Sequence, residues 1–537
     1  MNNFVNRPLS RRAFVGGASA AAALGLAACG SSSTSSSSSS SSSTASTGTE
    51  GGGTIAAGSA YAPSSFNPAS TGSAIGIGAN WHVVEGLYGI DYHDYTTFPE
   101  LATGDPKQVD DTTFEVTLRD GASFSDGNAV TPDDVVASFN RAVAGKLYTA
   151  MLAPIASIEA KGDNAVTITT TVANFSLLKE RLAIVRVCPA SQTDDQLAAQ
   201  PTGSGPWMYS TASDTVVELV PNEKYNGDHA AKDNMIHYDI LKDATARLTA
   251  MQEGSTQVME LVSADAVDQL KSAGAKIDQV QGFGTRFMMF NVAKAPWDNV
   301  KVRQAVMYAL NYDQMISNTF SGLASKPTCY LPETFTNYHK ASTVYDYDVD
   351  KAKSLIKDSG ITPGAISLRT TDNEQVVSMA TEVKNDLDAL GFTVTITTDT
   401  SAATYSAIDG GEAYDLLLAP GDPSCFGADP DLLLNWWYGD GVWMKTRCPW
   451  NTSDEWKKLH ELMAQALEQS GDDQQNTWNE CFDILADNVP LYPVIQIQTV
   501  TASWDDPSKA PAGTAIKGFS GIGTTSMYFL DCVSLKA

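Results

Sequence analysis

The groups in this 537-residue chain that could do chemistry are 62 carboxylates, six histidines and seven cysteines. A hydrolytic zinc site needs two histidines one helical turn apart with a glutamate between them. His460-Glu461 begins that pattern, but Leu462, Met463 and Ala464 follow and no second histidine comes. His82, His93, His229, His237 and His339 form no close pair either. The chain has no G-x-S-x-G elbow to expose a nucleophilic serine and no phosphate-cradling Walker loop. Asp346, Asp348 and Asp350 mimic the start of a calcium loop. Lys351 and Lys357 then occupy the positions of its glycine and terminal glutamate, which rules the loop out. Paired carboxylates can hydrolyse glycosidic bonds without any such motif. An exported hydrolase is therefore the alternative from another class, although no catalytic set emerges.

Four aromatic residues, Trp436, Trp437, Tyr438 and Trp443, crowd one segment. That density suits a pocket wall and suits core equally well. Stacked tryptophans would also suit a sugar, so an oligosaccharide is one ligand class to weigh. Acidic residues outnumber basic ones 62 to 35, for a formal net charge of −27. Nucleic acid needs a basic patch, so the composition argues against it as a partner. With neither clustered histidines nor a C-x-x-C, no metal and no cofactor is expected.

The amino terminus carries an address. Arg7, Arg11 and Arg12 precede an apolar stretch, Ala18 to Ala28, too short to span a bilayer. Ser10-Arg11-Arg12-Ala13-Phe14-Val15 resembles a twin-arginine export signal, and Leu26-Ala27-Ala28-Cys29 resembles a lipobox. Together they predict cleavage before Cys29 and acylation of that cysteine. The protein would then sit on the extracellular or periplasmic side of the cell membrane, held by lipid and not by a helix. Gly30 to Gly53 is almost entirely Ser, Thr and Gly, with too little to bury to offset the entropy of ordering; it reads as a tether. Outside the cytoplasm the remaining cysteines, Cys188, Cys329, Cys425, Cys448, Cys481 and Cys532, can pair. A bridge between Cys425 and Cys448 is favoured, with buried free thiols as the alternative.

Strands and helices alternate along the rest, as in α/β lobes, and the length calls for two or three of them. Thr131-Pro132-Asp133-Asp134 opens a helix as cap, first-turn proline and capping-box acid, with Val135, Val136, Phe139 and Val143 on its buried stripe. Asp298 is expected to cap another, bearing Val302, Ala305, Val306 and Ala309. Asp348 to Ser359 and Glu374 to Leu390 follow as helices, ended by Gly360 and Gly391. Strand 366–371, the second of these helices and strand 392–398 read as one βαβ unit. Two more helices are expected near 453–469 and 473–487.

Several segments together resemble the extracellular solute-binding proteins of the dipeptide, oligopeptide and nickel ABC importers. Thr113 through Gly121, Phe124-Ser125-Asp126-Gly127 and Thr131 through Phe139 follow that family's signature. Pro201-Thr202-Gly203-Ser204-Gly205-Pro206-Trp207, Asn222-Glu223-Lys224-Tyr225, Pro296-Trp297-Asp298-Asn299 with Val302-Arg303-Gln304-Ala305, and Tyr347-Asp348 through Lys353 follow in its order.

The resemblance implies a two-lobe α/β fold like that of periplasmic binding proteins, with an extra subdomain on lobe one and a ligand cleft between the lobes. It places lobe one at 54–285 with the subdomain at about 92–200, lobe two at 286–495, and a return to lobe one at 496–537. Residues 284–292 and 491–497 would cross between lobes. It implies a monomer that captures peptides and passes them to permease subunits. In peptide-binding members an aspartate after a short strand of lobe two takes the ligand's ammonium group; here that is Asp422. The stretch departs from the family at Ala419-Pro420-Gly421-Asp422, and extra residues including Cys425 separate it from Asp429, a further candidate. Trp436 and Trp437 would wall the pocket, with Tyr61 and Ser64 contributed by the end of the first strand. Arg286, on the crossing strand, would meet either a ligand carboxylate or one of the chain's own acids.

Overall fold

Residues Thr54–Ser59 form a strand buried at five of its six positions, because parallel neighbours flank it on both sides. In the computed structural model, which describes residues 52–519, Gly521 and the strand Ser534–Lys536, it lies inside one continuous sheet. The export motif, Cys29 and the tether up to Gly51 lie outside the described residues, as does Cys532. Across the sheet the strands run Thr393–Asp399, Ala365–Thr371, Leu416–Gly421, Lys276–Phe290, Leu491–Ser503, Val258–Met259, Thr54–Ser59, Met235–Ile240, Val216–Pro221 and Trp207–Ala212.

The two central strands join the lobes. Lys276–Phe290 has 15 residues, which extends about 50 Å. It pairs with Leu491–Ser503 along both lobes and turns from half-exposed to fully buried on the way. The register slips between Gln281 and Thr285, and again between Arg286 and Phe287. Such irregularities bend a strand and raise its twist. Here they bracket Thr285 and Arg286.

A separate four-stranded sheet, Lys107–Gln108, Thr113–Thr117, Ala165–Thr170 and Ile155–Lys161, carries helix Pro132–Ala144 through Val135, Phe139 and Ala142. The Thr131 amide and hydroxyl both donate to Asp134, at 2.9 and 2.7 Å, which is the capping box read from sequence. In lobe two Ala365–Thr371 and Thr393–Asp399 pair in parallel around helix Glu374–Ala389, the expected βαβ unit. Helix Val349–Ser359 starts on Asp348 and ends at Gly360, whose φ of 75° favours glycine.

Two expectations need correction. Asn299, not Asp298, caps helix Val300–Ala309, accepting the Lys301 amide at 3.0 Å; the turn after Pro296 carries the chain one residue further before the helix begins. Cys425 and Cys448 form no bridge. The Cys425 thiol donates to the Asp422 carbonyl at 3.5 Å and that of Cys448 to the Pro490 carbonyl at 3.4 Å, so each is held as a small buried residue in its own surroundings. Among the described residues no helix is long and apolar enough to cross a membrane.

Candidate ligand site between the lobes

Strand Leu416–Gly421 is buried for four residues and then surfaces beside the crossing strand, with Gly421 opposite Thr285 and Pro420 opposite Arg286. Gly421 must be glycine: a Cβ there would stand 2.5 Å from the Trp437 ring. Asp422 comes next. Its Oδ1 accepts the Ser424 amide at 2.9 Å and the Ser424 hydroxyl at 2.6 Å, capping the single turn Pro423–Phe426. Its Oδ2 lies towards Gly284, where a Cβ would approach to 3.4 Å. The carboxylate thus performs the turn-capping that its sequence allows and still presents an oxygen to the lobe junction.

The charge of this carboxylate reaches Tyr61 and Arg286. Burial pushes the Tyr61 phenol up to about 12 against the pull of Arg286, and the negative charges of Glu260 and Asp422 add to the rise. Tyr61 therefore keeps its proton at neutral pH and can donate it in a hydrogen bond. Arg286 is 2% exposed. Its Nη1 donates to the Thr285 carbonyl at 3.1 Å and its Nη2 to the Gln375 side chain, while Nε has no acceptor among the described residues. Its side-chain partner is thus the Gln375 amide, and the native acid whose charge reaches it is Asp422. Burial draws its proton affinity down, and Tyr61 and Asp422 hold it up.

Aromatic rings wall the junction. Phe283 packs on Tyr330 at 5.2 Å, on Trp437 at 5.8 Å and on Phe335 at 5.8 Å; Phe335 meets Tyr95 at 6.3 Å, and Tyr95 meets Tyr92 at 6.2 Å. The Tyr95 and Tyr330 phenols are raised first by burial and next by the charge of Asp422. The charge of Asp422 therefore reaches tyrosines from three separate segments.

The other candidates separate. Trp437 is fully buried and forms the floor beneath Gly421 and Phe287. Trp436 is half-buried against Phe426 at 5.4 Å. Ser64 is exposed further along the loop that carries Tyr61. Asp429 is engaged elsewhere: Arg181 reaches its two oxygens at 2.9 and 2.7 Å, and its Oδ1 also caps helix Pro430–Tyr438. Arg181 is wholly buried and binds Asp431 at 2.7 Å as well, fastening helix Leu178–Ala183 to helix Pro430–Tyr438. Tyr92 adds to that seam, donating to the Cys425 carbonyl at 2.8 Å. Tyr95, Tyr330, Phe283 and Gln375 were not readable as site residues. They lie in loops and elements far apart in the chain, and Tyr95 sits at a φ of 61°, which no local sequence signal announces.

Among the described residues no cluster of three or more His, Cys, Asp and Glu could hold a metal ion. One carboxylate, one buried guanidinium, neutral phenols and apolar walls are the chemistry that suits a small polar or zwitterionic molecule.

The family model described as bacterial extracellular solute-binding proteins, family 5 Middle, matches residues 96–445. The chain is 27% identical over 297 residues to heme-binding protein A of Haemophilus influenzae, covering 50% of this chain and 54% of that one. It is 26% identical over 373 residues to the dipeptide-binding protein of Escherichia coli, covering 62% and 69% respectively. The matched stretch thus spans about half the length of the first of these relatives. In fold the chain is similar to the periplasmic binding protein DppA of Helicobacter pylori, solved in complex with the peptide STSA. That likeness has a TM-score of 0.80 at 22% identity and covers 91% of this chain and 99% of that one. The fold and the extended match together settle the kinship: the chain belongs to the bacterial extracellular solute-binding proteins of family 5.

Proposed function

We propose that this protein captures short peptides outside the membrane by closure of its lobes and delivers them to the permease subunits of an ABC importer. The observation that carries the reading is Asp422, a half-buried carboxylate beside the crossing strand, with Oδ2 turned towards Gly284 and a charge that reaches Tyr61, Tyr95 and Tyr330. A peptide's ammonium group matches that carboxylate. Tyr61 and the Nε of Arg286 supply donors for its carbonyls, and Ser64 stands at the lip. Trp437 serves as floor and Trp436 as a flank. Asp429 serves the seam and not the ligand, because both its oxygens are committed. Similar proteins support the class: the Helicobacter pylori protein was solved with a peptide, and the Escherichia coli relative is a dipeptide-binding protein. An oligosaccharide would want exposed ring faces, and Trp437 offers none.

In this reading the lobes divide near residues 285 and 495, at the bulged part of the crossing strands. The extra subdomain takes about 92–200. The chain acts as a monomer and carrier, not as an enzyme, anchored through lipid on Cys29. Native mass spectrometry of the domain from about Gly51 onward, purified without refolding, tests it. A ladder of peptide masses released from the protein supports peptide capture; hexose spacings would replace it with the sugar reading.

A further inference from the structure

Arg181 is a cation removed from water. It sits on the short helix Leu178–Ala183, which packs on the hairpin strands Tyr88–Asp91 and Thr96–Pro99. Its charged partners come from one distant stretch of chain: both oxygens of Asp429, at 2.9 and 2.7 Å, and Asp431 Oδ2 at 2.7 Å. Asp431 is 1% exposed, and its other oxygen takes the Asn435 amide at 2.9 Å. Burial pushes the Asp431 carboxyl up, and the Arg181 charge holds it down. Two further contacts cross the same seam. Tyr92, just past the first hairpin strand, donates to the Cys425 carbonyl at 2.8 Å, and the Tyr148 ring meets Phe426 edge-on at 5.1 Å. In the proposed division at the crossing strands, Arg181, Tyr92 and Tyr148 belong to lobe one. Cys425, Phe426, Asp429 and Asp431 belong to lobe two. These contacts therefore join groups that part when the lobes open.

We propose that Arg181 is the clamp of the closed form, a positioning residue that holds the lobes shut through Asp429 and Asp431 and so sets how long a ligand stays. The proposal rests on the reading of capture by lobe closure and deepens it. Its physical basis is an asymmetry between the two forms. In the closed form three charges have left water, and the charge-assisted bonds of the guanidinium compensate them. In the open form each charge is hydrated, and pairs between hydrated charges contribute little. Loss of Arg181 therefore penalises the closed form, where Asp431 stays buried without its cation, and spares the open one. A planar fork that meets three oxygens also fixes one closed geometry, which the point charge of a lysine cannot do.

The test combines small-angle X-ray scattering of the ligand-free protein with stopped-flow tryptophan fluorescence on tri-alanine. Wild type, Arg181→Gln, Arg181→Lys and the double variant Arg181→Gln with Asp431→Asn are compared, and thermal unfolding checks that each folds. Ligand-free Arg181→Gln should show a larger radius of gyration than the wild type, and adding Asp431→Asn should reverse part of the increase. Tri-alanine should leave Arg181→Gln at least about tenfold faster than the wild type, with its association rate unchanged. Arg181→Lys should fall between the two. A merely structural role would lower the unfolding midpoint and move neither the radius nor the dissociation rate. Equal radii for wild type and Arg181→Gln, or equal dissociation rates, would overturn the proposal. If the wild type holds no tri-alanine, the peptide reading is contradicted, and the scattering comparison still decides the clamp. Should Arg181→Gln fail to fold, Tyr92→Phe removes the other hydrogen bond across the seam and leaves the charges in place. It should speed dissociation by about threefold, and an unchanged rate would overturn the clamp.

Discussion

Asp422 serves two partners, one oxygen closing its own turn and the other facing the lobe junction. Replacing it with Asn keeps an acceptor for Ser424 and removes the charge. The unfolding midpoint should therefore change little, while peptide affinity measured by calorimetry should fall by about 1.5–3 kcal/mol, the worth of a charge-assisted bond. The tryptophans should divide in the opposite sense. Trp437→Ala empties a fully buried site and should cost about 3–5 kcal/mol in urea unfolding. Trp436→Ala, half-exposed against Phe426, should cost clearly less. Equal losses would mean that Trp436 is core too. For the thiols, alkylation under denaturing conditions without reductant should label both Cys425 and Cys448. Protection of the pair would restore the bridge expected from composition.

At the scale of elements, the legible features were the local ones. Thr131 with Asp134, Asp348 and Gly360 fixed helix ends within a few residues of themselves, where capping chemistry is written in short motifs. The alternating run after Gly391 marked its strand for the same reason. Asp298 misled because capping potential was shared with its neighbour Asn299, and only the turn geometry chooses. The cleft was legible at one point, Asp422. Its surroundings come from segments such as those of Tyr92 and Cys425, 333 residues apart, and no spacing encodes that meeting. Helix Glu374–Ala389 supplies a pH prediction. Burial pushes the Asp386 carboxyl up from 3.8 to about 6. Its folded form thus holds a proton that the unfolded chain has lost, so stability falls as pH rises from about 4 through 6 and the penalty is complete above that. Asn keeps an acceptor for the Asn311 amide, so Asp386→Asn should raise the midpoint at pH 7 and leave it unchanged near pH 3.5. A gain of the same size at both pH values would contradict the buried-charge account. The seam behaves differently: Arg181→Ala leaves Asp431 buried and uncompensated, and should cost about 3–5 kcal/mol, partly recovered by adding Asp431→Asn.

For the whole molecule, a single sheet runs through the core and its two long central strands are bulged around Arg286, which is where the proposed closure would bend. The surface charge of a chain at −27 keeps it soluble and sets no ligand preference by itself. In the proposed reading preference comes from Asp422 and the aromatic rings beside the crossing strand. The most direct measurement is calorimetric titration of the tethered domain with tri-alanine and with N-acetyl-tri-alanine, on the wild type and on Asp422→Asn. The account predicts binding of the free peptide by the wild type, a loss of at least tenfold on acetylation, and no further loss on acetylation in Asp422→Asn. Equal affinity for the two peptides in the wild type would contradict capture of the ammonium group at Asp422.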